Sequence, residues 1–134
     1  MGVWRRIVTP AAAIAQSGLT AATLKLGASA ATLANADDAS AVGAAPAYTP
    51  TQVDTTAAPG GGVIAQAVAL RPASLIAYDP TSPLASAQGL IETPDISPIA
   101  EITNRLQARR SFAFSLAALR VAEQNQKSLL DMTA

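Results

Sequence analysis

Residues 95–130 read DISPIAEITNRLQARRSFAFSLAALRVAEQNQKSLL, and this stretch decides the architecture. Ser97 is placed to cap a helix, and Pro98 follows at the first helical position, where a missing N–H is harmless. No Gly or Pro occurs after it. Glu101–Arg105 and Glu123–Lys127 are spaced i,i+4 with the acid first, the favourable order. Apolar residues recur at Ile99, Ile102, Leu106, Ala113 and Leu116. The same spacing then reaches Arg120, Glu123 and Lys127, so the seam must shift to Leu119, Ala122, Gln126 and Leu129. A helix of about 35 residues is roughly 50 Å long, too long for a lone domain of this size to cover.

Working outward, the other end of the chain, from about Thr9 to Ala36, also reads as a helix. Thr9 can cap it and Pro10 suits its first turn. Ala12, Ala15, Leu19, Ala22, Leu26, Ser29 and Leu33 form a heptad-like stripe in which small residues alternate with large ones, a pattern that permits close helix approach. Gly18 and Gly27 each weaken the isolated helix by about 1 kcal/mol, so it is expected to order only on assembly.

The middle, 37–94, changes character. Residues 37–61 hold Asp, Ser, Thr, Gly and Pro with few large apolar groups and read as loop, punctuated by Pro59-Gly60-Gly61-Gly62. Strands are predicted over Val63–Leu70 and Leu75–Tyr78, with a third short one over Gly89–Thr93. Asp79-Pro80-Thr81-Ser82-Pro83 sets a turn, because Pro presets φ and Asp can bond the following backbone. The predicted fold is therefore mainly α with a small β insert: helical segments at 1–36 and 95–134 around a β-rich and loop region at 37–94. Two arrangements satisfy it. The terminal helices pair as a coiled coil with the insert at one end, or they lie on a small sheet as an ordinary α+β domain; the length and thin seams favour the coiled coil.

Composition bounds the function. Half of the 134 residues are hydrophobic, yet much of that is Ala and only 4% of the chain is aromatic. Alanine favours helix but removes little area from water, so a thick core is not available. Net charge is zero, unevenly spread: Arg5, Arg6 and Lys25 make 1–36 positive, while Asp37, Asp38, Asp54, Asp79 and Glu92 against Arg71 make 37–94 negative. No segment is basic or aromatic enough to follow a nucleic-acid backbone. The chain has no Cys and no His, which removes thiol catalysis, disulfides, His general-base chemistry and zinc sites built from those ligands. No catalytic, cofactor or metal site is expected. Asp37-Asp38 reads as solvated loop, and Gly60–Gly62 lacks the Lys-Ser/Thr ending of a phosphate loop.

The N-terminal region imitates a secretory signal: Met1–Arg6 is basic, Ile7–Leu24 is uncharged, and Ala34-Asn35-Ala36 resembles a cleavage site. Pro10, Gln16, Lys25 and the Ala/Thr-rich composition argue against it, and against a membrane span.

Several stretches also resemble one family. Ser17-Gly18-Leu19-Thr20-Ala21 followed by Leu33-Ala34-Asn35-Ala36 is similar to the N-terminal signature of flagellar rod and hook axial proteins, SGLxA before an NLAN-type element. Pro46-Ala47-Tyr48 with Val53, Gly61-Gly62-Val63, and Tyr78-Asp79-Pro80-Thr81-Ser82-Pro83-Leu84-Ala85 with Gly89 resemble segments of rod proteins, in the same order. Pro94–Ile102 and Ala108, Arg110, Ser111 and Phe112 resemble two further elements. Thr32 stands where the family has the first Asn of NLAN, Ser82 where it has His, Arg109 where Ser is usual, and Phe112 where Tyr is usual.

The resemblance implies a structural subunit of the proximal flagellar rod. Such subunits are exported by the flagellar type III apparatus without a cleaved signal and stack helically in the periplasm. Their terminal helices form the inner tube, which transmits torque and surrounds the export channel. It also implies self-association and contact with other rod subunits of the FlgB, FlgF and FlgG type near the basal membrane ring, with no cofactor. The residues assigned to the assembly interface are Leu19, Leu26, Leu33, Asn35, Ile99, Ile102, Leu106, Arg110, Phe112 and Leu116. The alternatives are a small signal-cleaved periplasmic binding or stress protein, and an enzyme restricted to Ser, Asp or Glu chemistry.

Overall fold

A computed structural model describes residues 10–133; the expected cap Thr9 and the basic Met1–Arg6 stretch lie outside the described residues. Helix α1 spans Pro10–Ala34 and helix α2 spans Pro98–Thr133. Between them lie β1 (Ser40–Ala41), β2 (Thr51–Ala57), β3 (Val63–Ala69), β4 (Ser74–Tyr78) and β5 (Leu90–Pro94). The expected architecture of two long terminal helices around a small β insert is present. The Ser97 hydroxyl accepts the Ala100 N–H at 3.4 Å, so the cap forms where the sequence places it.

The insert holds more strand than expected. Residues 37–61 are not all loop: β2 pairs antiparallel with β3 from Thr51↔Ala69 to Ala57↔Val63. β2 reads TQVDTTA, polar but with β-branched residues at Thr51, Val53, Thr55 and Thr56, so strand formation follows side-chain shape and hairpin closure rather than hydrophobicity. Gly60, Gly61 and Gly62 all take positive φ, at 90°, 99° and 89°. That run is accessible to glycine and costly for other residues, and it closes the hairpin through Ala58 N–H to Gly62 O at 3.0 Å. A second sheet has the antiparallel order β1-β5-β4. Its central Glu92 accepts the Gly43 N–H at 3.1 Å through one oxygen and the Ser74 hydroxyl at 3.0 Å through the other, tying β1's exit to β4.

α1 and α2 pack antiparallel. Ser29 Oγ donates to the Glu101 carbonyl at 3.0 Å near one end of the contact. Gly18 faces Ser115 further along, and a Cβ built at Gly18 would lie 2.5 Å from Ser115 Oγ and 3.3 Å from its Cβ. The most buried side chains of the two helices are small: Ala12, Ala15, Ala21, Ala22, Ser29 and Thr32 on α1, and Ala108 on α2. Glu101, Ala108, Ser115 and Ala122 recur at intervals of seven, and Leu119 and Gln126 are half-buried with them.

This corrects the first half of the expected α2 seam. Ile99, Ile102 and Leu106 are 79%, 53% and 51% exposed and turn away from α1. The physical reason is separation: an Ala/Gly/Ser stripe on α1 gains van der Waals contact only at short interaxial distance, which small α2 residues allow and branched ones oppose.

The turn after β4 is organised by Asp79, whose Oδ1 accepts the Thr81 hydroxyl at 2.7 Å and the Thr81 N–H at 3.1 Å. These bonds, the hydroxyl's first, hold the Asp79 carboxyl below its ordinary value of 3.8. A lowered folded-state pKa stabilises the turn fully above 3.8, and the effect disappears as pH falls through the lowered value. The Thr81 amide resonance should therefore titrate with a midpoint below 3.8 that moves upward in Thr81→Ala; a midpoint at or above 3.8 in the native chain contradicts this account. The two α1 glycines should respond oppositely. Gly18→Val pushes branched methyls at Ser115 and should destabilise by about 1–3 kcal/mol in urea denaturation. Gly27, with nothing within 4 Å of a built Cβ, should gain about 0.5–1 kcal/mol as Gly27→Ala.

Candidate assembly surface

The residues of the rod-like motifs lie in different segments and meet in space. Ser17 Oγ donates to the Ile14 carbonyl at 2.7 Å and accepts the Val63 N–H at 3.1 Å, so it clamps the β2–β3 hairpin tip to α1. Gly62 sits directly on it: a Cβ there would come within 2.5 Å of Ser17 Oγ. The Ser-Gly-Leu triplet thus divides its work, Ser17 holding the hairpin, Gly18 admitting α2, and Leu19 half-buried along a groove on the hairpin side. Near the end of α1, Thr32 is 1% exposed and its hydroxyl lies 3.3 Å from the Tyr48 hydroxyl. Gly89, at φ 73°, packs so tightly on Tyr78 and Pro80 that a Cβ would approach them to 2.9 and 3.0 Å. With Asp79 N–H bonded to Gly89 O at 2.9 Å, the stretch from Tyr78 to Gly89 closes as one turn.

The residues assigned to assembly fall into three groups. Leu19, Leu26 and Leu33 are half-buried along α1, and Leu116 is half-buried on α2. Asn35 donates from Nδ2 to the Ala31 carbonyl at 2.7 Å, satisfying one of the acceptors that a helix end leaves open. Ile99, Ile102, Leu106, Arg110 and Phe112 are exposed. By helical spacing Ile99, Ile102, Leu106, Arg110, Ala113, Ala117 and Val121 share one face of α2. Phe114, 75% exposed, flanks it. Sequence reading missed Ser17, Thr32 and Gly62 as contact points. Their signal was present as motif membership, but only the fold shows what each touches.

α1 is unusual in carrying a single charged residue, Lys25, between Pro10 and Ala34. An open apolar groove of about 700 Å³ runs beside it, lined by Gln16, Leu19, Thr23, Leu24, Gly27 and Ala67 among others. A helix without a charged face belongs in a protein interior, and here α2 and the hairpin cover only part of it. Among the described residues no group of three or more acidic side chains is arranged to hold a metal, and no helix is long and apolar enough to cross a membrane.

No family model matches the chain. Curated relatives do. The flagellar basal-body rod protein FlgC of Escherichia coli O6:H1 is 35% identical over 112 residues, covering 79% of this chain and 83% of the relative. The FlgC proteins of Salmonella typhimurium and Yersinia enterocolitica are 34% and 33% identical over the same coverage. Similarity across four-fifths of both sequences, together with two terminal helices around a β insert, makes this chain a member of the FlgC family and a structural subunit of the flagellar basal-body rod.

Proposed function

We propose that this subunit assembles helically in the periplasm through the faces that its own fold leaves uncovered, and that the assembled rod transmits torque and surrounds the export channel. The observation that carries the reading is α1's lack of charge from Pro10 to Leu24 around its whole circumference, coupled with the outward Ile99, Ile102, Leu106 and Val121 of α2. In this reading the helical segments, 1–36 and 95–134, build the shaft as a coiled coil, and 37–94 forms its outer part. Leu19, Leu26, Leu33, Asn35, Ile99, Ile102, Leu106, Arg110, Phe112 and Leu116 lie in or beside the interfaces. Neighbours are further copies and rod subunits of the FlgB, FlgF and FlgG type, close to the basal membrane ring.

Energetics support this. The largest fully buried side chains are Thr32 and Pro50, so at about 25 cal/mol per Å² a single copy buries little apolar surface on its own. Repeated interfaces along a filament multiply a small gain, and a marginally stable free subunit suits passage through a narrow export channel without a cleaved signal. Cleavage after Ala36 would remove α1, against which α2 and the hairpin pack. That observation argues against the signal-cleaved periplasmic alternative. No catalytic role is assigned.

Sedimentation of the purified chain at rising concentration tests the reading, alongside complementation of motility in a rod-deficient strain. Ile102→Asp with Leu106→Asp should weaken self-association at least about tenfold and abolish motility, while monomer stability changes by no more than about 0.5 kcal/mol per site because both residues are exposed. Arg110→Ala, combined with removal of acidic residues one at a time, should show coupling with one of them across the interface. Unchanged assembly and swimming in the double Asp variant would defeat the assignment.

A further inference from the structure

Charge is set against charge along this chain. Ahead of α1 the sequence reads MGVWRRIVT, with Arg5 and Arg6 between the apolar Val3, Trp4, Ile7 and Val8. At the far end of α1, a groove of about 770 Å³ opens between the helix exit, the β4–β5 sheet and the start of α2. Leu75, Pro83, Ile91 and Ile96 give it an apolar wall, Asp37 and Asp79 contribute carboxylates, and its lining contains no Lys or Arg. Leu75 is 47% exposed there. The Thr81 bonds that lower the Asp79 pKa both fall on Oδ1.

We propose that this groove is the docking site for the Val3–Ile7 segment of a second copy of the chain, its arginines meeting Asp37 and Asp79 and its apolar residues lying on Leu75 and Pro83. Charge complementarity selects the segment, and chain geometry selects the copy. Pro10 and Ala34 are separated by about 36 Å of helix at 1.5 Å per residue. Arg6 precedes Pro10 by four residues, which span at most roughly 14 Å when extended. A copy therefore cannot reach its own groove. The contact is heterologous: each copy offers a segment at one end and a groove at the other, so it propagates as an open stack rather than closing a dimer. It rests on the assembly reading only for the supply of that second copy.

Trp4 is the chain's single tryptophan, which makes the test direct. A synthetic acetylated peptide, MGVWRRIVT, is titrated into the full chain carrying Trp4→Phe, so that tryptophan emission and anisotropy report the peptide alone. Saturable binding is expected, with a blue-shifted emission and an affinity that falls with salt. Asp37→Lys with Asp79→Lys in the receptor should weaken it by about tenfold or more. A peptide carrying Arg5→Glu and Arg6→Glu should show the opposite preference between the two receptors, an arm that leaves the native receptor unaltered. Absence of saturation, or equal affinity for the native and charge-reversed receptors when circular dichroism shows both folded, overturns the proposal. Sedimentation of the unmodified chain separates the two readings: a chain that assembles but ignores the peptide supports assembly and sinks the groove, whereas one that binds the peptide yet stays monomeric sinks both the contact between copies and the assembly.

Discussion

Close approach of two helices through small side chains is the constraint on which the structure depends. Gly18 opposite Ser115, and Ser29 bonded to the Glu101 backbone, bring α1 and α2 near enough for alanines to make contact. Alanine contributes little by area, so the contact works only at short range, where dispersion between backbones adds to it. This sets what else is possible. Large apolar residues are excluded from much of the first half of the helix interface and appear on the outside of α2, as Ile99, Ile102 and Leu106 do. The subunit consequently spends its bulky side chains where a neighbour can use them.

The insert is fastened to this helical pair at points that coincide with the family motifs. Ser17 and Gly62 join the hairpin tip to α1, and Thr32 meets Tyr48 near the helix exit. Thr32 stays buried while its hydroxyl reaches that of Tyr48. These residues fix one segment against another, as a load-carrying shaft requires.

Membership of the FlgC family explains why the isolated chain looks incomplete. A rod subunit is stable in its assembly, and its surface must hold both what it covers and what will cover it. In the proposed assembly, an α1 whose single charge is Lys25 and an apolar outer face on α2 are two surfaces of that kind.

Local and periodic features were legible in the residues alone. The Ser97-Pro98 start of α2, the Pro10 start of α1, the positions of β3, β4 and β5, and the absence of His and Cys chemistry follow from backbone preference and residue type, which act over a few positions. β2 was not legible, because TQVDTTA lacks apolar alternation and becomes a strand only when β3 lies beside it. The inward face of α2 was not legible either. Periodicity identifies an apolar stripe at Ile99, Ile102 and Leu106 but is silent on whether the chain or its neighbour covers it. Tertiary structure decided the part that concerns the chain itself, through interhelical distance: the α1 stripe is small, so the α2 face that meets it is small as well, and the large residues stay outside the helix pair.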